Sequence, residues 1–210
     1  GLERFALFGH HLTGAVAIAY AARNPDRASH LILWCSFARG MDFASGPKVR
    51  ALRSLRDEDW ETYTEMLAHL AYGWPEGEEA HRAAALLREC TTPDVEKALA
   101  NASDGIDVTH LLSSVQAPTL VIQRRGYPIV RVEVAQELAS KIPSAELFLL
   151  EGTSGITYLE NMEAVASAIE AQRDFWIAET DLQWVLQGGA PDSFIFLGGG
   201  GGEPAAAAGH

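Results

Sequence analysis

"RFALFGHHLTGAVAIAYAARNPDR", residues 4–27, is the stretch on which the fold turns. Residues 4–8 form a short apolar run that stops at Gly9, and residues 14–23 are alanine-rich with helical spacing, so the stretch reads as strand, sharp turn and helix. "SHLILWCSF" (29–37) follows as a continuous apolar run, the pattern of a strand covered on both faces. It reads as a second strand, parallel to the first.

The same alternation returns downstream. "APTLVIQRRG" (117–126) is a strand entered through Pro118, "VEVAQELASKI" a helix closed by Pro143, "AELFLLEG" (145–152) a strand, and "NMEAVASAIEAQRDFWIAE" (161–179) a last helix. Between Ala38 and Val115 the pattern is helical, with about four helices, capping-type starts, and Trp60, Tyr63, Leu67 and Leu70 on one stripe. The fold class is therefore α/β: a parallel, doubly wound sheet carrying a helical cap insertion over 38–115. Ligands are expected at the carboxyl ends of the strands, where Gly9, Gly126 and Gly152 fall. Residues 1–180 are expected to form the main domain and 181–210 a tail. In that tail "SFIFLG" (193–198) has strand character, and 198–210 is low complexity and expected to be disordered.

Composition narrows the function classes. A formal charge of −12 opposes a grip on phosphate backbones, which excludes nucleic acid as a main partner. No apolar stretch approaches the ~18 residues of a membrane span and no basic-then-apolar leader precedes the first strand, so no membrane partner and a cytoplasmic location are expected. Cys35 and Cys90 are too few for a disulfide scaffold and read as buried reduced thiols. The chain opens on Gly1 and enters a strand within a few residues, the pattern of a processing point or a truncation.

"GLERFALFGH", "AVAIAYAARNPDRASHLILWCSFARG", "APTLVIQRRG" and "ELASKIP", with the order of elements around them, resemble the α/β-hydrolases from their nucleophile-elbow strand onward, over about residues 1–172. The resemblance implies a Gly-x-Ser-x-Gly turn, an acid after the next-to-last strand and a histidine base after the last. This chain departs at each place: the turn reads Gly9-His10-His11-Leu12-Thr13, Tyr127 stands at the acid position and Gly155 at the base position. A weak alcohol needs a base to deprotonate it and an acid to orient that base. The triad is degenerate on this reading, leaving the Leu12 N–H as the remaining oxyanion donor, since the family's first four strands and its other oxyanion loop would precede Gly1.

The implied function is a pseudoenzyme: a hydrolase-fold module that binds a small apolar or ester-like ligand, or a protein partner, through His11, Leu12, Ser36, Arg124 and Tyr127. The alternative is a hydrolase of small esters or lactones that uses His11 or a residue outside the triad. No cofactor and no metal are expected. His11 reads as a surrogate nucleophile, a base or a metal ligand on the sharp reading, and as a pocket-filling imidazole on the plain one, with His10 pointing the other way. Ser36 and Cys35 are expected near the pocket mouth. Arg124 and Arg125 read either as anion ligands or as a solvated pair facing Glu151. Trp60, Tyr63, Tyr72 and Trp74 read as cap-pocket lining or as core. Thr13, β-branched on a sharp turn, is expected to be strained. The 4–8 strand, lacking a neighbour, is expected to pair with "SFIFLG" or with a second copy, the homodimer being favoured.

Overall fold

The computed structural model describes residues 2–160 and 162–186. It divides into two compact units, residues 1–166 and 167–210. The first unit holds a four-stranded sheet in the order of the sequence: β1 (Phe5–His10), β2 (Ala28–Trp34), β3 (Thr119–Arg124) and β4 (Ala145–Leu150), every pair parallel. Helix α1 (Leu12–Arg23) joins β1 to β2 and α7 (Val132–Lys141) joins β3 to β4. All six residues of β3 are buried, whereas β1 and β4 alternate, leaving Phe8 and Phe148 partly in the open. That is the difference between an inner strand, covered on both faces, and outer strands covered on one. Among the described residues nothing pairs with the free side of β1.

The core lies where the sheet meets its helices. Ile18 and Ala21 of α1 pack with Leu31 and Leu33 of β2, Val121 of β3 and Leu138 of α7. Alanine-rich α1 can lie close to the strands because its inward positions are small.

The insertion carries more helix than the sequence suggested. The expected helices are present as α4 (Trp60–Tyr72), α5 (Gly77–Cys90) and α6 (Pro93–Asp104), begun for α4 by Asp59 accepting from Thr62 N at 3.0 Å and for α6 by Thr92 accepting from Val95 N at 3.4 Å. Two shorter ones precede them, α2 (Gly40–Ala44) and α3 (Pro47–Leu55), and 3₁₀ turns occupy Trp74–Glu76 and Thr109–Ser114. Two helices this short, set apart by Ser45 and Gly46, show too few turns for periodicity to register. Cys35 is buried as expected, but Cys90 is exposed at the end of α5, where the helical stripe has already turned outward.

The second unit continues the final helix, α8, which runs Met162–Leu186 rather than ending at 179. The strand expected at 193–198 and the low-complexity stretch 198–210 lie outside the described residues. Among the described residues no helix is long and apolar enough to cross a membrane.

Candidate functional site

The turn between β1 and α1 is an elbow. His11 sits on it with φ 48° and ψ −120°, a sparsely populated conformation for a residue with a side chain, which costs on the order of 1–3 kcal/mol. Its surroundings hold it there: His11 N donates to Trp34 O at 3.1 Å, its carbonyl accepts from Ser36 Oγ at 2.6 Å, and Gly14 N donates to the same carbonyl at 3.1 Å. Glycine is required at two places. A methyl group at Gly9 would stand 2.6 Å from Gly14 Cα, and one at Gly14 would collide with Ser36 Oγ.

Close approach of strand and helix thus rests on Gly9 and Gly14, not on position 13. Thr13 is exposed, in helical conformation, and its hydroxyl donates to His10 O at 2.8 Å while accepting from His10 N at 2.9 Å. The strain expected at Thr13 falls on His11 instead. Ser36, expected at the pocket mouth, is buried behind the elbow as its brace. Cys35 beside it has φ 44°, and burial pushes its thiol up to about 11.

The structure brings together His11, Tyr127 and Gly155, the three positions that the resemblance singles out. The His11 and Tyr127 rings stack at 5.2 Å with 4° between their planes. Gly155 lies against both: a side-chain carbon there would stand 2.6 Å from Tyr127 Cε2 and Cζ and 2.8 Å from His11 Nε2. Tyr127 therefore fills the space that a side chain at 155 would need. His10 is on the same side, contrary to expectation; its ring stacks on His11 at 3.9 Å and its Nε2 donates to Gly155 O at 2.9 Å. Trp34 Nε1 donates to that carbonyl at 2.6 Å, and Gly155 N donates to Ala71 O at 2.7 Å.

Neither ring can supply the charge a triad uses. Burial, with His10 adjoining, holds His11 down to about 3, so its imidazole is neutral at working pH. Burial, with Cys35 nearby, raises the Tyr127 phenol well above its ordinary range, so it keeps its proton and cannot stand in for a carboxylate. His11 Nε2 and Tyr127 Oη are both buried without a hydrogen-bond partner.

The loop that carries Gly155 is fastened by Glu160. Its carboxylate accepts from Thr153 N at 2.7 Å, Thr153 Oγ1 at 2.8 Å, Ser154 N at 3.0 Å and Arg124 at 2.6 Å. Burial works against its ionisation, but the bonds from Ser154, Thr153 and Arg124 outweigh it and hold the carboxyl below its usual value. Arg124 is fully buried, lies over Trp34 and also donates to the Leu159 and Glu160 carbonyls. It is a structural cation and does not line the cavity; Arg125 pairs with Glu151 at 3.2 Å.

Above the elbow, between the sheet and the insertion, is a cavity of about 230 Å³. His11 lines it from the elbow and Leu12 from the start of α1, Phe43, Leu52, Tyr63 and Leu67 from the insertion, and Ile129 from the loop after β3. Of the four aromatic residues considered from sequence only Tyr63 lines it, and Trp74 is exposed on the surface. Sequence reasoning missed the polar residues at the cap side, Arg53, Glu96 and Ser103, which come from two separate helices. Among the described residues no group of His, Cys, Asp or Glu is arranged to hold a metal.

No family model matches the sequence. A pimeloyl-[acyl-carrier protein] methyl ester esterase of Neisseria meningitidis is 26% identical over 177 residues, covering 80% of this chain and 67% of the relative. A 2-hydroxy-6-oxononadienedioate/2-hydroxy-6-oxononatrienedioate hydrolase of Paraburkholderia phymatum is 29% identical over 155 residues, covering 70% of this chain and 54% of the relative. Among solved structures, an esterase from Rhodococcus sp. ECU1013 matches with a TM-score of 0.69 at 19% identity, over 84% of this chain and 66% of that one. The chain thus spans from about half to two thirds of the length of the proteins it matches. With a parallel sheet flanked by helices, a strained elbow after β1 and a helical insertion over the strand ends, the chain has the α/β-hydrolase fold.

Proposed function

We propose that this chain is a hydrolase-fold binding module without Ser-His-Asp chemistry, its cavity kept and its catalytic groups replaced. One observation carries the reading. Tyr127 and Gly155 are matched, the ring of one lying where the side chain of the other would be, and His11 Nε2 is buried beneath them. A base cannot be seated at 155 while Tyr127 is present, and His11 Nε2 is buried with no hydrogen-bond partner to activate it. The proposed ligand residues are then His11 and Leu12 with the cap-side lining, while Ser36, Arg124 and Tyr127 act as supports. Among the described residues the outer side of β1 is unpaired and Phe8 is exposed beside it, which favours a homodimer through paired β1 edges.

The runner-up is a hydrolase of small esters or lactones that uses His11, favoured by its place on the elbow and by the printed activities of the relatives. A p-nitrophenyl butyrate assay separates the two. Turnover no greater than free imidazole gives, unchanged in His11→Ala, is expected; turnover well above that background and abolished by His11→Ala would refute the binding-module reading. Sedimentation at micromolar concentration tests the dimer, which a monomer throughout the range would exclude.

A further inference from the structure

The charges around the cavity say what kind of molecule it can hold, on the reading that it is a binding site. Among the described residues two formally charged side chains line it, and both are already paired. Arg53 makes a two-pronged bond to Asp104 at 2.6 and 2.9 Å. Glu96 accepts from Arg56 at 2.6 Å and from the Tyr63 hydroxyl at 2.7 Å. The titratable group at the floor, His11, is neutral. A carboxylate or phosphate in this space would find no free cation, an ammonium no free anion, and burying either without a partner is expensive.

Hydrogen-bonding capacity is divided between the two ends. The hydroxyl of Tyr63 gives its proton to Glu96, and that of Ser103 gives its proton to Leu99 O at 2.7 Å. Both oxygens can therefore only accept from a ligand. At the floor the reverse holds: Leu12 is the first residue of α1, its N–H has no acceptor within the helix, and no acidic side chain stands in the first turn. The remaining lining, including Phe37, Val49, Leu70 and Ile129, is apolar.

Volume sets the length. At about 30 Å³ for each water-sized group, a cavity of about 230 Å³ takes roughly eight such groups. We infer that the site takes an uncharged molecule of about eight to ten non-hydrogen atoms, with a carbonyl facing Leu12 N and a hydroxyl facing Tyr63 and Ser103.

Calorimetric titration of the full chain with four eight-carbon probes tests this: octan-2-one, 8-hydroxyoctan-2-one, octanoate and octylammonium. The two ketones are expected to bind, the hydroxyketone roughly tenfold tighter for its added hydrogen bond. Octanoate and octylammonium are expected to bind at least about tenfold weaker than octan-2-one, the cost of a buried unpaired charge. Leu99→Trp, an exposed lining position, is expected to abolish ketone binding with the circular dichroism unchanged. Either ion binding as tightly as octan-2-one overturns the inference but leaves the binding module standing. A hydroxyketone no tighter than the plain ketone overturns the assignment of the cap end. Failure of all four at millimolar concentration, or ketone binding indifferent to Leu99→Trp, overturns the binding reading itself.

Discussion

Two loops at the carboxyl end of the sheet are held in different ways. The elbow after β1 keeps its backbone: His11 holds φ 48° with Gly9, Gly14 and Ser36 packed around it, although the side chain on it is an imidazole. The loop after β4 is held by side chains. Its fastening is a buried arginine, a carboxylate with four donors and a glycine with no side chain to present. The elbow is set by close backbone contacts that are indifferent to what residue 11 carries, whereas the β4 loop is set by side chains and stands or falls with them.

The largest expected effect separates these two modes of support. Glu160→Ala leaves Arg124 charged, buried and without its carboxylate, a loss of about 3–5 kcal/mol. Ser36→Ala, which removes one brace of the elbow, is expected to cost about 1 kcal/mol. Urea denaturation midpoints compare them, and equal costs would break the contrast. The same pair sets an acid limit. Glu160 is held below its unfolded value of 4.5, so its contribution is complete above that value and is lost as the pH falls through the folded one. Glu160→Gln should remove that part of the acid dependence.

The next effect sharpens the match between positions 127 and 155. Gly155→His places a side chain against the Tyr127 ring and is expected to destabilise by about 1–3 kcal/mol, the ordinary cost of overpacking. In a Tyr127→Ala background the same change should cost less, with a coupling of at least about 1 kcal/mol in a double-mutant cycle. Additive costs would mean that Tyr127 does not occupy that space. The smallest effect concerns the elbow helix. Thr13→Gly is expected to lower stability by about 1 kcal/mol, because glycine is a poor helix residue and the two bonds to His10 are lost. A raised melting temperature would restore the view that position 13 is strained.

The strand–turn–helix stretch was legible because it rests on local pattern: an apolar run, a glycine and a small-residue helix. Local pattern was silent about Arg124 and Glu160, which are bonded across 36 positions, and about Ser36, whose hydroxyl bonds a carbonyl 25 positions back. Arg124 after a strand looked like a solvent-facing charge until its partner was in place. The polar end of the cavity was hidden for the same reason, since Arg53 is on α3 and Glu96 and Ser103 are on α6. Thr13 was misread because the glycine that matters comes one residue later.

The sheet order has a consequence for how the molecule comes apart. β1 with β2, and β3 with β4, are each closed by one helix and paired over six residues. The seam between β2 and β3 is paired over only four, Leu31–Trp34 with Thr119–Ile122, and the chain reaches across it through the entire helical insertion. Lengthening so long a connection is cheap, about 0.6 kcal/mol for each doubling, so the insertion is free to vary in size while the seam stays the weakest ladder. The cavity straddles that seam, with His11 and Leu12 on one side and Ile129 on the other. A molecule that fills it therefore works as a zip-fastener: it raises the cost of parting the two halves and makes their opening one cooperative event.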